Sequence, residues 1–152
     1  MTVRLSTGLR TALAGLLGFA ATFEKGIIEI RTGPQPANAD AAATGTLLAT
    51  VTMNSLAFTP GSPTNGLTFA SASAGAVAKL GTWSFQGIAD GTAGWFRLKG
   101  NALDNDAVST TLPRVDGSTA TSGADLDMHI AIKTGEAGTI DGFAFAIPMQ
   151  KS

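Results

Sequence analysis

Hydrophobic positions near the amino terminus recur at intervals of three and four residues. The apolar stripe comprises Leu5, Leu9, Leu13, Leu16, Leu17 and Ala20. This spacing predicts a short helix with Ser6 as its N-cap, because a serine side chain can accept a hydrogen bond from the first helical turn. Gly8, Gly15 and Gly18 weaken such a helix, so it should be stable only when its stripe is docked, and Gly18 is an alternative end.

From residue 26 onward the helical period gives way to short alternating runs separated by Gly, Pro, Asn and Asp. The predicted strands are 26–32, 44–54, 67–70, 82–89, 93–99, 110–115, 126–133 and 139–148, with surface loops at 33–43 and 59–66. About eight strands predict a mainly β fold, an antiparallel, jelly-roll-like β-sandwich. We therefore divide the chain into an amino-terminal helix or arm at 1–25 and a β-sandwich domain at 26–152.

The dipeptide Asp90-Gly91 predicts a two-residue, type I′ hairpin. Its expected cross-strand pairs are Phe85 with Phe96, Trp83 with Leu98 and Gln86 with Trp95. In this register the four large apolar side chains share one face, as a buried core requires. Further hairpins are predicted at 116–117 and around 135–138. Pro113 lacks a ladder donor, which indicates a sheet edge for 110–115.

The same alternation places Trp95 and Arg97 on the opposite, polar face of the sheet. A tryptophan there can anchor a protein interface or stack on a ligand such as a sugar ring, and the alternative is burial beneath a loop or the arm. The arm has a similar choice between packing on its own sandwich and packing on a neighbouring subunit. The candidate interface residues are Leu9, Leu13, Leu16, Leu17, Trp95 and Arg97.

Charge is sparse and balanced in this chain. Ten basic and eleven acidic side chains give a net charge of −1 without any block of like charge, so no nucleic-acid partner is expected. Charged residues make up 14% of the chain, against about 25% in an average soluble domain. Interface cores are depleted in charge, so this composition suits long-lived subunit contacts, although drift in a tolerant β protein is an alternative.

Length and residue types exclude several classes of protein. The 152 residues fit one domain with a real core, and the absence of cysteine excludes disulfides, thiolate zinc sites and thiol nucleophiles. The apolar run at 12–21 is about half of the roughly 20 residues that cross a bilayer, so no membrane span is expected. The run resembles a secretory signal peptide, but an ordered arm is the preferred interpretation.

Residues able to support catalysis or metal binding are few. His129, the single histidine, shares a predicted strand face with Asp125, Asp127 and Lys133, and this face should be solvated or at an interface. A two-residue spacing of polar side chains is common in strands, so a metal site there is not expected. The run 104–106 lacks the glycine and distant glutamate of a calcium loop. No catalytic motif occurs, and no enzyme activity, cofactor or metal is expected.

Several phrases of the sequence resemble a family of small tailed-bacteriophage and prophage proteins associated with the virion. They are RLSTGLR at 4–10, TGPQPANAD at 32–40, TGTLL at 44–48, GTAGWFRL at 91–98, DGS at 116–118 and SGADL at 122–126. These phrases spread over most of the chain, and none of them defines a chemical activity. The resemblance implies an assembly role and transfers no catalytic residue.

The resemblance further implies a virion structural protein, assembled in the host cytoplasm. A capsid decoration or cement protein is the favoured hypothesis, with other copies of the chain, preferably in a trimer, and the major capsid protein or other virion proteins as partners. The second hypothesis is a tail, baseplate or fibre component whose β-sandwich binds a receptor or glycan, with Trp95 stacking on the sugar. The third is a glycan-acting enzyme that uses dispersed carboxylates such as Asp104, Asp106, Asp125 and Asp127.

Overall fold

A computed structural model describes residues 3–15 and 17–147 of the chain. Within them, two helices lie near the amino terminus, α1 (Thr7–Ala14) and α2 (Phe19–Phe23). The larger sheet contains β1 (Arg4–Leu5), β2 (Ile27–Thr32), β3 (Leu47–Met53), β6 (Trp83–Gln86), β7 (Gly91–Lys99), β8 (Arg114–Ala120), β9 (Leu126–Asp127), β10 (Ala131–Ile132) and β11 (Ala137–Ile140). The smaller sheet contains β4 (Thr68–Phe69), β5 (Ala76–Leu80) and β12 (Ala144–Ala146).

The larger sheet has the strand order β1-β8-β7-β2-β3-β6-β11, with β10 paired to β7 and β9 paired to β8. Named strands pair antiparallel except for β8 and β9, and the smaller sheet has the order β12-β5-β4. The prediction of a mainly β, antiparallel, sandwich-like fold with a short amino-terminal helix is therefore confirmed. The strands divide unevenly, whereas a jelly roll distributes eight strands over two sheets.

Alternation along the central strands builds most of the core. On β2, Ile28 and Ile30 are fully buried in the apolar cluster, while Glu29 and Arg31 lie on the other side of the sheet. The four predicted core residues Trp83, Phe85, Phe96 and Leu98 all belong to this cluster. The smaller sheet contributes residues such as Phe69 to the same cluster, so one core is shared by both sheets.

The predicted hairpin at Asp90 and Gly91 is wrong. β6 pairs with β3 and β11, whereas β7 pairs with β2 and β8, so two strands separate them in the sheet. A type I′ turn needs positive φ at both central residues, and neither Asp90 nor Gly91 has it. Asp90 instead accepts hydrogen bonds from the backbone N–H and the hydroxyl of Thr134. The sequence therefore predicted correctly on which face of the sheet these side chains lie, but it did not predict which strands pair.

The other two predicted hairpins are also wrong. Asp116 and Gly117 lie inside β8, where Gly117 faces Phe96, and an added Cβ would stand 2.6 Å from the Phe96 ring. The glycine therefore marks a close side-chain approach rather than a turn. The segment 126–133 does not pair with the carboxy-terminal strands, because β10 pairs with β7 and β11 with β6. Pro113 precedes β8, which is flanked by β7 and β1 and is not a bare edge.

The amino-terminal segment packs on its own chain. Ser6 caps α1 as predicted, because its hydroxyl oxygen accepts a hydrogen bond from the Leu9 backbone N–H at 3.1 Å. The same oxygen accepts the Arg114 backbone N–H at 2.8 Å, which fixes the helix start to β8. Leu9 is fully buried and joins the common core, and the helix ends at Ala14. Tertiary contacts therefore supply the docking that this glycine-containing helix requires.

Gly8 provides a test of how closely α1 is docked. Gly8→Ala should raise helix propensity by up to about 1 kcal/mol in an isolated helix. In this fold, however, the added Cβ would lie 2.3 Å from the carbonyl oxygen of Thr111, so the helix would have to move. We expect the variant to lower the free energy of unfolding by about 1–3 kcal/mol in urea titrations. Gly15→Ala, with no atom closer than 3.5 Å to its added Cβ, is the matched control.

Candidate functional site

A cluster of charged side chains occupies the face of the larger sheet that lies opposite the core. Alternation on β2, β7 and β8 directs these residues there, and cross-strand register aligns Glu29 with Arg97 and Arg97 with Asp116. Two loops cover this face, a first covering loop at 33–46 and a second covering loop at 100–113. We call the group the ion-pair cluster, and its members are Glu29, Arg31, Arg97, Lys99, Asp104, Asp106, Arg114 and Asp116.

Arg97 and Asp116 form the innermost pair of the cluster, and both side chains are 0% exposed. The Arg97 Nε and Nη2 atoms donate to the two Asp116 carboxylate oxygens at 2.7 and 2.8 Å. Arg97 Nη2 also donates to the carbonyl oxygen of Ala41 in the first covering loop at 3.0 Å. A two-pronged guanidinium–carboxylate contact of this kind fixes orientation as well as charge.

Arg114 fastens both covering loops to the sheet. Its Nε and Nη2 atoms donate to the Asp104 carboxylate at 2.7 and 2.6 Å, and Nη2 also donates to the Ala107 carbonyl at 2.8 Å. Its Nη1 atom reaches the Ala39 and Ala41 carbonyls at 3.4 Å. The loops also bond to each other through backbone groups, so one buried arginine organises a continuous cover.

Glu29 and Asp106 are held between the same two cations. Lys99 Nζ donates to Glu29 at 2.8 Å and to Asp106 at 3.0 Å. Arg31 Nη2 contacts the same two carboxylates at 3.2 and 3.1 Å. The four side chains therefore alternate in charge around a closed ring.

The pKa values of the carboxyl groups in the cluster are shifted in different directions. Burial, together with hydrogen bonding to Asp106, raises the pKa of Glu29 above its ordinary value despite Lys99. Burial also pushes the pKa of Asp106 upward, but hydrogen bonding with Glu29 and the charge of Lys99 outweigh it, so this pKa is lowered. Burial raises the pKa of Asp116 more than the Arg97 guanidinium lowers it. Glu29 is therefore the carboxyl group of this ring that most favours a proton.

The ion-pair cluster is built as an internal support, because Arg97, Arg114 and Asp116 are fully buried. Asp104 and Asp106, two carboxylates of the enzyme hypothesis, are neutralised by arginine and lysine partners.

The six predicted interface residues fall into four groups. Leu9, Trp95 and Arg97 are fully buried within this chain, so the prediction that they form a surface for a partner is wrong. Burial of Trp95 agrees with the stated alternative, and its ring lies 5.4 Å from the Arg97 guanidinium carbon. Leu13 is half-buried against the core, and Leu17 is 54% exposed and stays a prediction. Leu16 lies outside the described residues.

Sequence reasoning missed the ion-pair cluster, although a signal was present. Charged residues occur two positions apart at three places. These pairs are Glu29 and Arg31, Arg97 and Lys99, and Arg114 and Asp116 at the end of the predicted strand 110–115. In a chain with so few charges, three such pairs on neighbouring strands indicate a common charged face. The covering loops could not be foreseen, because their bonds to the cluster connect residues such as Ala41 and Arg97 that are far apart in sequence.

An apolar groove of about 430 Å³ opens between α2 and the smaller sheet. Phe19 stacks on Phe145 with 4.1 Å between ring centroids, and Ile147 at the margin is 66% exposed. No charged residue contributes to the lining among the residues that the structure describes. The lining residues are Gly18, Phe19, Ala20, Ala21, Ala72, Gly75, Ala76, Val77, Phe145 and Ile147.

A second depression, of about 410 Å³, lies on the part of the outer sheet face that the covering loops leave open. Threonines of β3 form part of its floor, and the exposed side chains of Leu56 and Ile88 stand at its sides. This surface is also uncharged over the lining residues, which include Thr50, Thr52, Ser55 and Gln86. We call it the sheet-face depression.

A third, more open cleft of about 820 Å³ surrounds His129. Its lining includes Asp125, Asp127 and Asp141 but neither Asp104 nor Asp106, so the four carboxylates of the enzyme hypothesis do not line one site. Asp127 and His129 are exposed in this chain, which agrees with the prediction of a face that is solvated or at an interface. Over residues 3–15 and 17–147, no three His, Asp or Glu side chains are grouped as metal ligands.

The helices in the described part of the chain are too short to cross a bilayer. No family model, no curated protein and no solved structure matches this chain. Functional assignment therefore depends on the surfaces and clusters described above.

Proposed function

We propose that this chain is a structural subunit of a tailed-phage particle, a capsid decoration protein that stabilises the head by subunit contacts. The observation that carries this proposal is the distribution of charge. Eight charged side chains are withdrawn into the ion-pair cluster, while large apolar side chains remain exposed on several sides. Such a surface costs little to desolvate on assembly, as a protein held permanently between neighbours requires.

Two further features support an assembly role. The uncharged groove and the sheet-face depression offer separate contact surfaces, as a subunit that touches both its own copies and a shell needs. The ion-pair cluster gives the chain a rigid interior beneath its loops, so that contacts can form without ordering mobile segments first. The sequence resemblance to virion-associated proteins agrees with both features.

Copy number in purified particles tests the proposal. Heads and tails of the phage that encodes this chain are separated, and the chain is quantified by mass spectrometry relative to the major capsid protein. We expect a fixed ratio in heads and depletion from tails. A purified head fraction that lacks the chain would overturn the decoration role.

Add-back to heads that lack the protein tests the stabilising effect. Purified chain should restore the heat resistance of heads prepared from a deletion phage. The variant Lys133→Gln is the control and should restore heat resistance as well as the natural chain does. Lys133 is 62% exposed, and its ion pair with Asp90 lies on the surface, where such pairs contribute little to stability. Binding of the chain without any gain in heat resistance would contradict a cement role.

A tail or baseplate component that binds glycan is the second candidate function. The specific observation in its favour is the His129 cleft, whose lining combines carboxylates with Phe143. Trp95, which the sequence analysis assigned to stack on the sugar, is buried and does not line this cleft. Glycan-array binding that is lost in Asp141→Asn would favour this candidate, whereas an array without any bound glycan would count against it.

A further inference from the structure

β11 is an edge strand of the larger sheet, because β6 pairs with one side of it and no strand of the described residues pairs with the other. The Gly87 N–H of β6 donates to the Glu136 carbonyl. Because bonded residues alternate along an antiparallel pair, Ala137 and Thr139 direct their backbone N–H and C=O groups away from β6. Both residues are exposed, and their backbone groups make no other hydrogen bond within the described part of the chain. Such a free edge can accept an added strand.

A depression of about 280 Å³ lies beside this edge, and we call it the edge slot. Its lining combines Ala137 and Thr139 of the free edge with residues of the segment 127–133. The edge slot shares four lining residues, among them Asp127 and Asp141, with the larger cleft around the histidine. The two depressions therefore adjoin, and together they leave an extended chain room to lie along β11.

Carboxylates without an ion-pair partner are concentrated on this surface. Those that line the edge slot or the His129 cleft are Asp125, Asp127, Glu136 and Asp141. None of the four takes part in an ion pair among the residues that the structure describes. Lys133, the lysine of the lining, is already paired with Asp90. The surface therefore carries uncompensated negative charge, which favours a basic ligand.

We propose that the edge slot and the His129 cleft bind an extended, lysine- or arginine-bearing segment of a partner polypeptide, added to β11 as a further strand. The backbone of this segment pairs with Ala137 and Thr139, and its basic side chains, which alternate along the strand, reach the carboxylates. A second copy of β11 suits the edge poorly. Antiparallel pairing of two copies about Gly138 would bring Glu136 of one close to Asp141 of the other, and like charges there are unfavourable.

Synthetic peptides test this mode of binding with the purified natural chain. The probe is a short fluorescent peptide of alternating lysine and threonine, and the measurement is fluorescence anisotropy over rising concentrations of the chain. We expect saturable binding that weakens as salt is added, because exposed charges contribute to it. A peptide of alternating glutamate and threonine is the charge control. A lysine–threonine peptide with methylated backbone nitrogens is the backbone control, and neither control should bind.

The variant Thr139→Pro tests the free edge itself. It removes an N–H that points away from β6, so the bonds between β6 and β11 stay in place. We expect it to weaken binding of the lysine–threonine peptide by a factor of about five or more. Thr139→Ala, which keeps the N–H, is the matched control and should bind as the natural chain does. Circular dichroism verifies that both variants fold.

Amide hydrogen exchange supplies a readout that needs no variant. Binding of the lysine–threonine peptide should slow exchange at Ala137 and Thr139, because their N–H groups gain a partner. Neutralising the surface with Asp127→Asn and Glu136→Gln together should weaken binding by a factor of about three or more. Glu24→Gln is the charge-matched control, because Glu24 is 41% exposed and lines neither depression.

Several results would overturn strand addition at β11. These are no saturable binding of the lysine–threonine peptide, equal binding of either control peptide, unchanged binding in Thr139→Pro, or unchanged exchange at Ala137 and Thr139. A glycan that binds the His129 cleft when the lysine–threonine peptide does not would overturn it as well and assign the surface to a sugar. None of these results affects the decoration role, which the composition of purified heads decides.

Discussion

Arg97→Met is expected to lower the free energy of unfolding by about 3–5 kcal/mol. Arg97 and Asp116 are both fully buried, and methionine fills much of the arginine volume without supplying a charge. Asp116 would then remain in the interior without its main partner. Loss of the bond to the Ala41 carbonyl would also loosen the first covering loop. Urea denaturation followed by tryptophan fluorescence measures the effect.

The double variant Arg97→Met with Asp116→Leu separates the pair from its surroundings. Replacing a buried ion pair by apolar residues of similar size is often neutral or stabilising, whereas removing one partner is costly. The raised pKa of Asp116 has the same cause, because burial disfavours its charge even beside Arg97. We expect the double variant to recover most of the lost stability. A double variant less stable than Arg97→Met alone would show that Asp116 has another essential partner.

Asp106→Asn should cost about 2–3 kcal/mol near neutral pH, while Glu29→Gln should cost less than about 1 kcal/mol. Both carboxylates contact Lys99 and Arg31, so a simple count of ion pairs would predict equal effects. Their pKa shifts have opposite signs, however. The fold favours the charged form of Asp106 and the protonated form of Glu29, and glutamine resembles the latter.

The pH dependence of the two variants follows from these signs. The lowered pKa of Asp106 means that its charged form stabilises the fold above the ordinary pKa, and this contribution is lost as the pH falls through the lowered folded value. The raised pKa of Glu29 means that its protonated form stabilises the fold below the ordinary pKa, and this contribution is lost as the pH rises through the raised folded value. The stability of Glu29→Gln relative to the natural chain should therefore increase as the pH rises above the ordinary glutamate pKa and through the raised folded value.

Stability of the three proteins across this pH range decides the question. The penalty of Asp106→Asn should shrink as the pH falls through the lowered folded pKa of Asp106, where the natural carboxyl group also takes up a proton. An equal loss of unfolding free energy in both variants at every pH would contradict the opposite effects of charge at Asp106 and Glu29. Intact far-ultraviolet circular dichroism at the starting pH verifies that each variant folds.

Alternation in the sequence determined which side of the sheet each residue faces. A strand turns successive side chains to opposite faces whatever its neighbours are, so Trp83, Phe85 and Phe96 could be assigned to the core directly. The start of α1 was equally local, because Ser6 accepts a hydrogen bond from Leu9 only three residues later. Fold class and the exposed face around His129 depend on the same local signals.

Tertiary structure decided which strands are neighbours and which surfaces remain open. The turn signal at Asp90 and Gly91 was overridden because β7 gains partners on both edges from β2 and β8, and no local pattern encodes that choice. Burial of Trp95 and Arg97 likewise depends on loops that return from distant parts of the sequence. These features depend on contacts between residues that are far apart in the chain. The face of the sheet on which a side chain lies depends only on the local backbone of its own strand. The charged face had a signal in the sequence, but its burial beneath the covering loops could not be predicted from it.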